Sequence, residues 1–235
     1  MCQDCTKGTI SRRGLFAGGL ALTLAASSGS MAFAQSSEAP PATPDEALKR
    51  LIDGNARYVA NSPINTDHSV GRSARSTGQQ PFAAVVTCSD SRVVPELIFD
   101  QGPGDLFVVR VAGNFINEDG LASLEFGAAV LGIKTIVVLG HTSCGAVRAT
   151  IESIQDKILP PGHLPSLVNA IRPAVYDAMA DNPADLLAAA TAQNAKLNAE
   201  KAAVADPILS DFHASGKIKS SAGIYDIATG KVAFL

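Results

Sequence analysis

Three short, unbroken apolar runs stand out along the chain: Phe82 to Thr87, Leu106 to Val111 and Thr135 to Leu139. Runs of this length without polar alternation predict strands buried on both faces. Between the second and third lies Leu121 to Leu131, rich in Ala, Leu and Gly, which predicts a crossover helix. Strand, helix and strand in that order predict an α/β protein, a single domain around a mainly parallel sheet flanked by helices. Upstream, Ala47, Leu48, Leu51 and Ile52 recur at helical spacing, so a helix is expected from Asp45 to about Tyr58 or Val59. Residues 61 to 80 are polar and read as loop. Downstream, helices are expected over Cys144 to Gln155, Leu164 to Met179 and Pro183 to about Val204. Ile224 to Ile227, a turn at Ala228 to Lys231, and Val232 to Leu235 predict a terminal hairpin.

The first 34 residues read as an address rather than as fold. Ser11-Arg12-Arg13 precede an uncharged run from Gly14 that ends in Ala32-Phe33-Ala34, the small-x-small pattern of a cleavage site. Paired arginines before a mildly apolar stretch broken by Gly and Ser resemble a twin-arginine export signal. The usual aromatic-then-aliphatic pair is reversed here, as Leu15-Phe16. The run is also long enough for a membrane anchor, but its Gly and Ser content favours a cleaved leader, leaving no stable anchor. Residues 35 to 44, with Pro40, Pro41 and Pro44, read as a linker, and 45 to 235 as the folded domain. A periplasmic or secreted destination follows. The chain has 235 residues, 46% of them hydrophobic, which is enough for one well-buried domain. With formal charge −3 and no basic patch, nucleic acid is not an expected partner.

Cleavage after Ala34 would remove Cys2 and Cys5, leaving Cys88 and Cys144. Cys88 stands in Cys88-Ser89-Asp90-Ser91-Arg92, and Cys144 in His141-Thr142-Ser143-Cys144. Cys88 and His141 both fall at the C-terminal ends of predicted strands, the edge at which open parallel sheets bind ligands. Cys144, three residues after His141, falls at a helix start, where the helix N-terminus favours a thiolate. Two thiolates and one imidazole with no evident fourth protein ligand is the count of a catalytic zinc site, with one position left for water. The alternative for two cysteines in an oxidising compartment is a disulfide, which would leave His141 and Asp90 unused. In an extended segment Asp90 and Arg92 share a side, so Arg92 can clamp the Asp90 carboxylate, lower its pKa and aim it. The plainer roles are an N-cap for a short helix through Val93 to Phe99 for Asp90, and a solvated charge for Arg92. His68, His163 and His213 read as surface or loop residues.

The paired strings Cys88-Ser-Asp90-Ser-Arg92 and His141-x-x-Cys144-Gly145 resemble the β-class carbonic anhydrases. The resemblance runs from about Asp45 to the C-terminus and includes Gly78-Gln79, Phe107-Val108-Val109-Arg110 and Glu125. It implies one Zn²⁺ per subunit held by Cys88, His141 and Cys144, and an Asp90–Arg92 dyad serving the water that zinc activates. It implies that Gln79 reaches a neighbouring subunit's pocket, and that Phe107 and the Gly145 amide line the substrate site. It also implies self-association as a homodimer or tetramer, with the first helix wrapping the partner. Some members close the site by making the aspartate a fourth zinc ligand, and those use a Trp-Arg-Tyr bicarbonate pocket. This sequence has no Trp, so the open form is expected.

The expected function is reversible hydration of carbon dioxide to bicarbonate and a proton. Two alternatives are kept: hydrolysis of COS or CS₂ on the same zinc site, and a non-catalytic zinc- or anion-binding protein.

Overall fold

The computed structural model describes residues 39–69 and 71–235. The leader, with its twin arginines and cleavage site, and the first part of the linker lie outside the described residues. The elements run α1 (Pro44–Val59), α2 (Arg72–Arg75), β1 (Ala83–Thr87), α3 (Pro95–Ile98), β2 (Leu106–Arg110), α4 (Glu118–Phe126) continuing into a π-helical turn (Gly127–Leu131), β3 (Thr135–His141), α5 (Gly145–Gln155), α6 (Leu164–Ala180), α7 (Leu186–Val204), α8 (Ile208–Ala214), β4 (Lys219–Tyr225) and β5 (Val232–Phe234).

The strands form one sheet in the order β2-β1-β3-β4-β5. The first four are parallel, and β5 returns antiparallel to β4. Successive side chains of a strand point to opposite faces, and both faces here are covered. Ala84, Val86, Ile136 and Val138 pack with Leu124 of α4, Ala195 and Ala199 of α7 and Leu209 of α8. Ala83, Val85, Val137 and Leu139 pack with Ala47 and Leu51 of α1 and Ile98 of α3. Two covered faces explain why the strand sequences are unbroken apolar runs.

Helix α1 begins as its sequence dictates. Thr43 caps it, Glu46 reaches back to the Thr43 amide to complete a capping box, and Pro44 occupies the first turn. Gly54 lets the helix approach the sheet layer closely, since a Cβ there would sit 1.8 Å from the Phe99 carbonyl oxygen. Buried Asn55 then ties three elements together. Its amide donates to the carbonyls of Ile98 and Gly230, and its oxygen accepts from the Val232 amide.

Several expected boundaries are corrected. The crossover helix starts at Glu118, because Asn117 accepts from the Gly120 amide and caps it, and its last turn is π-helical. The loop over 61–80 contains the short α2. Helix α7 starts at Leu186 rather than Pro183, because Asp185 caps it through the Ala188 amide. The terminal hairpin is present, but β4 begins at Lys219 and joins the main sheet beside β3. Asp90 does not cap the short helix after it: α3 begins at Pro95 with Val94 at its N-cap.

Candidate metal centre

The chain leaves β1 toward β2 on one side and returns to β3 on the other, so the switch in strand order falls between β1 and β3. Open α/β sheets bind ligands at the C-terminal ends of strands at such a point. Thr87 pairs with Leu139 in register, which sets Cys88, just past β1, beside the end of β3 and its last residue, His141. Ser143 adopts a left-handed conformation (φ 59°), which turns the chain back so that Cys144 returns to His141 as the N-cap of α5.

Cys88, His141 and Cys144 are all buried, and their donor atoms lie within 4.8 Å of one another. Both cysteines are free thiols, so the disulfide alternative is set aside. The His141 Nδ1–H donates to the Thr142 carbonyl (3.0 Å), which fixes the tautomer and leaves the Nε2 lone pair toward the cluster. That Nε2 is buried without a hydrogen-bond partner. An orphaned imidazole nitrogen beside two buried thiols fits a divalent metal of the zinc type, because such an ion takes both nitrogen and thiolate ligands.

In the metal-free cluster the two sulfurs are pushed in opposite directions by the hydrogen bond between them. The hydrogen bond from Cys144 draws the Cys88 thiol down to about 4 against the opposing effect of burial, aided by His141 and the Gly113 amide. The same hydrogen bond, with burial, pushes Cys144 up. The amides of Val147 and Ala146 at the start of α5 do pull Cys144 down, as its helix position predicts, but they do not prevail. Burial works against a charged His141, and the Cys88 sulfur, the Thr142 carbonyl and the Asp90 carboxylate together outweigh it.

Asp90 and Arg92 stand together at the rim. Arg92 Nε donates to Asp90 Oδ1 (2.9 Å), Arg92 Nη2 to Oδ2 (2.7 Å), and the Arg92 amide to Oδ1 (3.0 Å). The Arg92 guanidinium holds the Asp90 carboxyl well below the usual carboxylate range, and Asp90 in turn raises Arg92. Asp90 Oδ2 lies 3.9 Å from His141 Nε2, so the carboxylate borders the cluster.

The three residues expected to line a substrate pocket belong to three different segments of the chain. Gly145 is the first residue of α5, directly after Cys144, where its amide has no partner within the helix. A Cβ built at Gly145 would meet nothing within 4 Å, so space lies open beside it. Gln79 is exposed at the opposite end of the sheet, ahead of β1, with a five-residue strand (about 16 Å long) between it and Cys88. Phe107 sits on β2 in register with Ala84, its ring 6.4 Å from that of Phe126.

Other contacts that shape the centre have no motif of their own. Arg110, at the end of β2, donates from Nε to the Cys88 carbonyl (3.1 Å) and from Nη2 to the Asp90 carbonyl (2.7 Å). The Gly113 amide donates to Cys88 Sγ (3.3 Å). Arg110 belongs to the Phe-Val-Val-Arg string, its one visible signal. The Thr142 hydroxyl accepts from the Ile227 amide (3.1 Å), anchoring the turn between His141 and Cys144 to the β4–β5 connection.

A protein-family model, carbonic anhydrase, matches residues 83–232. Carbonic anhydrase 2 of Mycobacterium tuberculosis is 46% identical over 137 residues, which cover 58% of this chain and 66% of that protein. The carbonic anhydrase of Mycolicibacterium smegmatis is 44% identical with the same coverage. The match therefore spans slightly under two thirds of these relatives' length. Among solved structures, the β-carbonic anhydrase CcaA is similar with a TM-score of 0.60 at 30% identity, covering 80% of this chain and 94% of that one. A tetrameric β-carbonic anhydrase of Sordaria macrospora shares the fold with a TM-score of 0.64 at 21% identity, over 80% and 96% of the two chains.

Proposed function

This chain belongs to the β-class carbonic anhydrase family, and from that premise we propose that it interconverts carbon dioxide and bicarbonate. The observation that carries the proposal is the juxtaposition of two parts. One is the Cys88–His141–Cys144 cluster with its orphaned Nε2. The other is a carboxylate, held by arginine, that borders it. The relatives bear the name carbonic anhydrase, which does not favour COS or CS₂ as the substrate.

Cys88, His141 and Cys144 would hold the zinc. When bound, zinc supplies a Lewis acid with one open position and lowers the pKa of water there towards about 7. The rest belongs to the chain. Asp90 accepts a hydrogen bond from the reacting water and aims its lone pair at the carbon of carbon dioxide. Its carboxyl lies so far below the usual range that it stays an acceptor at neutral pH, so the proton released by the reaction passes to buffer rather than resting on Asp90. Arg92 fixes both carboxylate oxygens and thereby the direction of that acceptor. The Gly145 amide offers a donor for a substrate oxygen in the open space beside it. Because Arg92 occupies both oxygens of Asp90, we assign the open rather than the aspartate-closed form.

The active species is a homodimer or a dimer of dimers. Gln79 lies at the wrong end of its own sheet to serve its own cluster, so it serves a second subunit's. β2 is an edge strand, and nearby Phe126 and Val130 are 47% and 63% exposed, an apolar surface suited to a second copy. The leader directs export by the twin-arginine route to the periplasm or beyond, with cleavage after Ala34. No helix among the described residues is long and apolar enough to cross a membrane.

Stopped-flow carbon dioxide hydration by Asp90→Asn, with metal content measured on the same samples, tests the proposal. It predicts retained zinc and a rate lower by about a hundredfold or more. Hydration at the wild-type rate would refute the role given to Asp90.

A further inference from the structure

We propose that Asn194, on α7 and far from the metal ligands in sequence, is a positioning residue that tunes the Cys88 sulfur. This rests on the zinc reading above. Asn194 is buried (1% exposed), and its Nδ2 donates to the Gly113 carbonyl at 2.8 Å. Gly113 is the residue whose amide donates to Cys88 Sγ. Asn194 therefore holds the residue that holds the sulfur.

The contact is reinforced along one face of α7. Asn198, one turn on, accepts from the Ile116 amide (2.8 Å) and donates to the Asn194 carbonyl (2.8 Å) and side-chain oxygen (3.2 Å). Lys201 Nζ donates to the Ile116 carbonyl (2.7 Å). Positions 194, 198 and 201 recur at helical spacing and so share one stripe of the helix. Together they pin the 113–116 loop at both ends. Gly113 cannot hold its place by packing a side chain: its φ is +88°, and a Cβ would lie 2.4 Å from Ile171 Cδ1. Its orientation depends instead on what grips its peptide groups.

The consequence is electronic as well as mechanical. A thiolate that accepts an N–H bond donates less charge to a metal, which leaves the metal a stronger Lewis acid. Two thiolate ligands bring more negative charge than imidazoles would, and the Gly113 amide offsets part of it. Asn194 keeps that amide aimed. The buried asparagine stripe thus has a use beyond satisfying its own polar groups.

Cobalt(II) binding to the purified full-length protein provides the test. Thiolate-to-cobalt charge transfer in the near ultraviolet reports the energy of the sulfur lone pairs, which a purely structural role for Asn194 would not move. Asn194→Ala should bind one cobalt with its charge-transfer band shifted to longer wavelength, and with metal affinity lower by about tenfold or more. Asn198→Ala should shift the band in the same direction by less, and it carries the test if Asn194→Ala does not fold. Unchanged band and affinity in a folded variant, even with a lowered melting temperature, would overturn the proposal. Absence of any thiolate band in the wild-type protein would instead overturn the metal assignment on which it rests.

Discussion

Arg92 grips Asp90 with both arms of its guanidinium, Nε 2.9 Å from Oδ1 and Nη2 2.7 Å from Oδ2, while Asp90 Oδ2 borders His141 Nε2 at 3.9 Å. The bidentate fork fixes an acceptor beside the candidate metal ligands without spending the carboxylate on the metal itself. Arg92→Lys keeps the charge but loses the fork. Its hydration rate should fall by about tenfold or more while zinc content and the far-ultraviolet spectrum hold. A variant as fast as wild type would show that the aim of the carboxylate does not matter.

Much of this centre was legible in the sequence because its parts are chemically rare. Two cysteines and a histidine at two strand ends and a helix start have few other uses, and strands buried on both faces leave unbroken apolar runs. The contacts that refine the centre were not legible. Arg110 acts on the Cys88 and Asp90 carbonyls and Asn194 on the Gly113 carbonyl, and main-chain acceptors have no residue signature. Only Ile224 and Tyr225, the last two residues of β4, fell within the predicted hairpin, because Lys219, Ser220 and Ser221 form no apolar run although they pair with Thr135, Ile136 and Val137. The π-helical turn at Gly127–Leu131 has the same composition as α-helix, so only the fold reveals it.

Acid stability should track Asp100. Burial raises its pKa, but Arg57 and the amides of Asn65 and Ile64 outweigh burial and hold the carboxyl below its ordinary value. A depressed carboxylate stabilises the fold above the unfolded-state pKa, and that contribution is lost as pH falls through the folded value. Urea midpoints should therefore decline from about pH 5 downwards. Asp100→Asn should lower stability by about 3 kcal/mol at pH 7, by leaving the partly buried Arg57 without its partner, and should flatten the acid decline. An unchanged acid limb in the variant would assign the decline to other carboxylates.

Gly54→Ala tests the docking of α1. A methyl group there overlaps the Phe99 carbonyl, 1.8 Å from the built Cβ, and a backbone oxygen cannot rotate aside. The helix must move off the sheet, so stability should drop by about 3 kcal/mol in chemical unfolding. A change under a few tenths would mean that α1 does not sit against Phe99 as described.

The apolar surface beside β2 predicts assembly. Val130→Asp places a charge on a 63%-exposed position about one helical turn beyond Phe126. Sedimentation should then show monomer in place of the oligomer, with reduced hydration, as the role proposed for Gln79 in a second subunit's site requires. An unaltered oligomer would place the interface elsewhere.

Metal content and carbon dioxide hydration measured on one preparation, before chelation, after it and after zinc is restored, test the central claim most directly. The prediction is about one zinc per chain, the count of a single three-ligand site, with hydration that disappears on chelation and returns with zinc. Undiminished hydration by the chelated protein, or a fully zinc-loaded protein that hydrates no carbon dioxide, would contradict it.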